Sequence, residues 1–187
     1  PFVYAFYAGF LSVLSLILIP FSPIGFFIPE LNQLILDLLI GILFIVALIA
    51  FYNALRNDDP GRVTVIIGSF TPIFIGTFSF FFLDERLTIE ELIAFLFLML
   101  GGVLISMKRR AKSKILDTEY DIKKIYNSLL AAIFFGIFYV GTKYIFINQP
   151  FLETFIWTRL GSFLTALLLL FIPQIRNSIF KTTSNLN

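Results

Sequence analysis

The stretch Leu34–Ala54, LILDLLIGILFIVALIAFYNA, is 21 residues long and holds one charged side chain, Asp37. At about 1.5 Å of rise per residue it makes a helix of roughly 30 Å, the thickness of a bilayer's hydrocarbon core. It has no period-two alternation, so it does not read as a barrel strand. In lipid that leaves a helix, which satisfies its own backbone amides. Five more apolar runs lie outward from it: Pro1–Ile19, Val63–Leu83, Leu92–Met107, Ile125–Ile147 and Phe151–Pro173. Pro20, Pro23 and Pro29 close the first, and Asn57-Asp58-Asp59-Pro60-Gly61 is a compact turn between the second and third. The expected fold is an all-α integral membrane protein, a polytopic bundle with six transmembrane helices in the 187 residues.

Composition agrees. Hydrophobic residues make up 58% and charged residues 14%, against about 25% charged in an ordinary soluble domain. The chain has no His and no Cys, which removes disulfides, thiolate nucleophiles, His- or Cys-held metals and imidazole acid/base chemistry. No catalytic residue, cofactor or metal site is expected. Pro1 opens directly into apolar sequence, with no basic n-region and no small-residue cleavage site. That reads as a spanning segment rather than a leader, and the missing initiator Met raises the expectation that sequence precedes it.

The net charge of +2 hides an asymmetry. If successive helices alternate direction, one side receives Arg56, Arg62, Lys108, Arg109, Arg110, Lys112, Lys114, Lys123, Lys124, Arg176 and Lys181, and the other only Arg86. The positive-inside bias then places the basic linker 108–124 and the C-terminal tail in the cytoplasm. It also makes anionic lipid head groups the natural partner of these residues, rather than nucleic acid. The expected location is the plasma membrane.

Polar and small residues inside the runs mark where helices meet or a pathway is lined. The third run has Thr64, Gly68, Thr71, Pro72, Gly76 and Ser79 on one face; the fifth has Ala132, Gly136, Tyr139 and Lys143. The second has Ala47, Ala50 and Ala54 beside Tyr52 and Asn53, and the sixth has Thr154, Thr158, Gly161 and Thr165. Arg159 lies eight residues into its run, about 12 Å deep, where a guanidinium needs interior water, an anion or a carboxylate, unless it snorkels to the interface. Lys143 is close enough to its helix end to snorkel. Asp37 and Glu153 lie near segment ends, so neither stands out as a proton carrier. The candidate pathway residues are Tyr52, Asn53, Thr71, Pro72, Tyr139, Lys143, Thr158 and Arg159.

The ordered series Phe51-Tyr52-Asn53-Ala54-Leu55, Pro72 in an apolar run, Leu83-Asp84-Glu85-Arg86-Leu87-Thr88 and Gly101-Gly102-Val103-Leu104-Ile105 resembles the EamA repeat of the drug/metabolite transporter superfamily. Ala94 stands where that repeat usually has glycine. Ala131 to Lys143 and Trp157-Thr158-Arg159 resemble the first two helices of a second repeat. The resemblance implies a first repeat over 1–107 lacking its first helix, the linker 108–124, and the start of a second repeat over 125–187. It also implies that these are pieces of a ten-helix, inverted-repeat protein. The usual family orientation would put the linker outside, opposite to the charge count. The implied function is secondary transport, by alternating access, of small metabolites or drugs, with no enzymatic activity. The partners expected are a small-molecule substrate and membrane lipids, with a homodimer left open. The alternative is a membrane enzyme acting on a lipid-linked substrate, for which Asp84, Glu85, Glu90 and Glu91 form the acidic cluster.

Overall fold

The computed structural model describes residues 1–21, 28–86, 88–110 and 118–184; within these, the side chains at 99, 102–103, 105–110, 118–123 and 181–184 are left aside. Seven α-helices occur among the described residues: α1 Phe2–Leu11, α2 Leu31–Asn57, α3 Pro60–Leu83, α4 Ile89–Arg110, α5 Thr118–Asn148, α6 Phe151–Leu169 and α7 Pro173–Ser184. A 3₁₀ segment, Ser12–Phe21, continues α1. Five helical spans are long and apolar enough to cross a membrane: Phe2–Phe21, Leu31–Asn57, Pro60–Leu83, Lys124–Asn148 and Phe151–Leu169. The fourth expected span is helical as well, 22 residues in α4, although part of its side chains lie outside the described set. The protein is an all-helical, multi-pass membrane protein.

Local sequence explains the helix ends. Asp59 caps α3, its carboxylate accepting the Gly61 and Arg62 amides at 2.9 and 3.2 Å, with Pro60 at the first helical position. Thr88 and Glu91 form a reciprocal capping box on α4: the Thr88 amide donates to the Glu91 carboxylate at 2.8 Å, and the Glu91 amide to the Thr88 hydroxyl at 3.3 Å. The acidic residues considered for an enzyme are thus in part structural. At the other end of this turn Asp84 takes a left-handed conformation, φ 53°, a geometry Asp tolerates better than most side chains.

The sixth run departs from the expected Phe151–Pro173. Helix α6 ends at Leu169, and Pro173 starts a separate amphipathic helix, α7. A proline cannot donate the amide that would continue α6 but suits a first helical turn. Ile175 and Ile179, four apart, are buried with Phe6 and Ala166, which draws α7 onto α1. Residues 111–117 of the linker, Pro23 and Leu87 lie outside the described residues.

The chain divides into two compact units, residues 1–52 with 141–187, and residues 53–140. In the first, α6 packs on α1 and its 3₁₀ continuation, and α2 meets α6 through glycines. A Cβ on Gly41 would strike the Thr158 carbonyl oxygen and lie 2.7 Å from the Ser162 nitrogen; one on Gly161 would lie 2.6 Å from the Leu38 carbonyl oxygen. Backbones this close are what small residues permit between helices in lipid. In the second unit α3 packs on α4, and Gly136 of α5 approaches Phe74 of α3. Asp58 ties the α2–α3 turn to α5, with Arg62 at 3.5 Å and Lys124 at 3.8 Å. Large side chains such as Phe81, Phe82 and Phe97 are more than 70% exposed, an aggregation liability in water but an ordinary surface in lipid.

Candidate functional site

The α2–α6 seam of the first unit carries the richest polar chemistry. On α2, Asp37, Gly41 and Phe44 follow at steps of four and three, one helical face. On α6, Thr154, Thr158 and Ser162 follow at steps of four and are all buried. The Ser162 hydroxyl donates across the seam to the Gly41 carbonyl at 3.0 Å, and Thr158 donates to its own helix at the Thr154 carbonyl, 2.8 Å. The Thr154 hydroxyl donates to Gln149 Oε1 at 3.3 Å, and Gln149 Nε2 donates to Asp37 Oδ1 at 3.1 Å. Asp37 has no exposed surface, and its second oxygen, Oδ2, is buried without a hydrogen bond among the described residues.

Arg159 lies half-buried on the same helix. Its guanidinium carbon sits 4.9 Å from the centre of the Phe44 ring and 5.0 Å from that of Phe155. Two aromatic faces hold a cation by their quadrupoles. No carboxylate lies within ion-pair distance of it among the described residues. A planar fork of N–H donors in a mostly apolar setting is suited to a carboxylate or phosphate.

The expected residues are distributed over the two units, each taken by itself. Tyr52, Lys143, Thr158 and Arg159 belong to the first unit, and Asn53, Thr71, Pro72 and Tyr139 to the second. Tyr52 stacks on Tyr4, ring centres 5.1 Å apart. Asn53 is exposed and accepts Asn57 Nδ2 at its carbonyl, 2.8 Å. Thr71 is buried with an unpaired hydroxyl, next to Pro72 in the middle of α3.

Two expected stripes are only half right. On α3, Thr71, Gly76 and Ser79 are buried, while Thr64 and Gly68 are exposed, and a Cβ on Gly68 would meet nothing within 4 Å. On α5, Ala132 and Gly136 are buried, but Tyr139 is 49% exposed and Lys143 is exposed too. Helical spacing defines a face; whether a neighbour covers it is a tertiary matter.

Sequence reasoning passed over Asp37, Gln149 and Ser162. Asp37 is legible as a lone acid in an apolar run, but its hydrogen-bond partner, Gln149, is 112 positions away. Glu153, also set aside as near a segment end, is buried as well.

No protein of curated function and no solved structure matches the chain. The EamA-like transporter family matches residues 1–107, more than half of the chain and including α1 to α3 and most of α4. With that match and its membrane-spanning helices, the chain belongs to the EamA-like transporter family.

Proposed function

We propose that this protein is a secondary transporter that moves a small anionic or zwitterionic metabolite across the membrane by alternating access, its cargo contacting Arg159. The observation that carries the reading is the guanidinium clamped between Phe44 and Phe155, with no carboxylate of the described residues in reach. A charge at that depth is costly unless it works against an anion or water, and family membership makes a carried solute the natural anion. The aromatic clamp fixes the fork, so a carboxylate can dock without first ordering a flexible side chain.

Within the first unit, Tyr52, Thr158 and Lys143 are the further pathway residues of this proposal; Asn53, Thr71, Pro72 and Tyr139 are proposed as pathway residues of the second unit taken by itself. Pro72 leaves the Gly68 carbonyl without its helical donor, which suits a point where α3 can bend. The Thr158 role is steric, since its hydroxyl is spent within α6. The proposed setting is the plasma membrane, with the linker 108–124 cytoplasmic as the basic residues require. Membrane lipids are the surrounding partner, and a homodimer is open to test by sizing in detergent.

The test is uptake by the full-length protein in sealed vesicles, using labelled amino acids, carboxylates and sugar phosphates as a panel. Arg159→Ala should lower uptake of the transported member at sub-saturating concentration, and Arg159→Lys should restore part of it. Unchanged uptake by Arg159→Ala would remove the Arg159 assignment.

A further inference from the structure

We infer that Asp37 is the proton-binding site through which this transporter is coupled to the transmembrane proton gradient, an inference that rests on the transport reading above. The carboxyl has no solvent-exposed surface and one hydrogen bond, from Gln149 Nε2 to Oδ1. Its Oδ2 has none among the described residues. An ionised carboxylate so placed lacks both water and a cation, an unfavourable state in an apolar slab. Adding a proton to Oδ2 removes that charge with an O–H bond. The proton comes from water on one side of the membrane and leaves to water on the other, so nothing else is consumed.

A metal cation fits less well. The one group on Asp37 is an amide donor, which turns N–H toward the carboxylate and repels a metal. The next oxygen along the chain of bonds, Gln149 Oε1, accepts the Thr154 hydroxyl and lies on the far side of the amide from Asp37. A proton needs one lone pair, and Oδ2 offers it; a metal ion needs a cage of several oxygens.

The titratable groups on the surrounding elements are Glu30 before α2, Lys143 and Tyr144 at the end of α5, and Glu153 and Arg159 on α6. None of them bonds to Asp37, whose one partner among the described residues is the Gln149 amide. Asp37 and Phe44 are seven residues apart on α2, about 10 Å along the helix axis. The proton site and the Arg159 clamp therefore share one seam, near enough for a change in its packing to reach both. Gln149 sits in the joint between α5 and α6, so movement of that joint would uncover Oδ2.

Two readouts test this on the full-length protein. Infrared spectra of the purified protein across a pH series, taken as the difference between wild type and Asp37→Asn, should contain the carbonyl stretch of a protonated carboxyl, and the same band should remain when both proteins also carry Glu153→Gln. Gln149→Leu, which leaves Asp37 in place, should shift the frequency of that band by removing the hydrogen bond to Oδ1. A difference spectrum without that band, or a band unmoved by Gln149→Leu, would overturn the assignment. In vesicles, Asp37→Asn should keep solute exchange at equal pH and lose accumulation driven by an imposed pH gradient; accumulation equal to wild type would also overturn it. If the wild-type protein carries no solute at all, the transport reading falls, while the infrared band still decides whether Asp37 holds a proton.

Discussion

Substituting Gly41 by Ala tests the seam on which both sites are built. The added methyl would strike the Thr158 carbonyl oxygen and lie 2.7 Å from the Ser162 nitrogen and 2.9 Å from the Gly161 carbonyl carbon. All three are backbone atoms of α6, so no side chain can swing aside. Ordinary contact of a carbon with such atoms is about 3.3–3.6 Å, and α2 and α6 must part locally by roughly 1 Å, enough to forfeit a quarter to a half of the dispersion energy of each contact there. Overpacking costs about 1–3 kcal/mol, and a weakened Ser162–Gly41 hydrogen bond adds about 0.6–2 kcal/mol. Alanine returns about 1 kcal/mol through its helix preference. The net loss expected is about 1–4 kcal/mol, read from unfolding of the detergent-purified protein in a graded SDS series. Gly68→Ala is the matched control. A Cβ there meets nothing within 4 Å, so only the helix-preference gain remains and stability should hold or rise by up to about 1 kcal/mol. Gly41→Ala as stable as wild type, or as stable as Gly68→Ala, would refute the close approach of α2 and α6.

Other consequences are as direct. Glu91→Ala opens the α4 capping box and should lower stability by about 0.5–2 kcal/mol, with faster amide exchange at the start of α4; unchanged exchange there would deny the box a role. Asp59→Ala should cost a similar amount, about 0.5–2 kcal/mol, as the Gly61 and Arg62 amides lose their acceptor, and Asp59→Ser should recover most of it in the same unfolding series. Since the chain has no cysteine, one introduced at Asn57 and another at Glu85 can be labelled separately in oriented vesicles. The charge distribution predicts that Asn57→Cys reacts with a membrane-impermeant thiol reagent from the cytoplasmic side and Glu85→Cys from the opposite side; reversed labelling would favour the orientation usual in the family.

The parts of this molecule legible in one dimension are those decided locally. Apolar runs of bilayer length located the spanning helices, and Asp59-Pro60 and the Thr88–Glu91 pair marked helix starts through caps that act within a turn. The α6 stripe of Thr154, Thr158, Gly161 and Thr165 is legible because each residue is small or hydroxyl-bearing; the first three are buried and Thr165 is half-buried. What escaped depends on distant partners. The hydrogen-bond partner of Asp37, Gln149, comes from another helix joint; the exposure of Thr64, Gly68 and Tyr139 reflects which neighbours fail to cover them. Helix α7 was hidden because Pro173 closes one run and opens the next helix, and Ile175 and Ile179 look like a tail until Phe6 is placed beneath them.

Transport through Arg159 is tested most directly by solute uptake by the full-length protein in sealed vesicles, compared with empty vesicles and with the Arg159→Ala variant. It predicts saturable accumulation of at least one anionic or zwitterionic solute in the lumen, released when the vesicles are permeabilised and reduced in Arg159→Ala. Flux indistinguishable from empty vesicles across the whole panel, or chemical conversion of a solute that proceeds equally well without a sealed compartment, would contradict it.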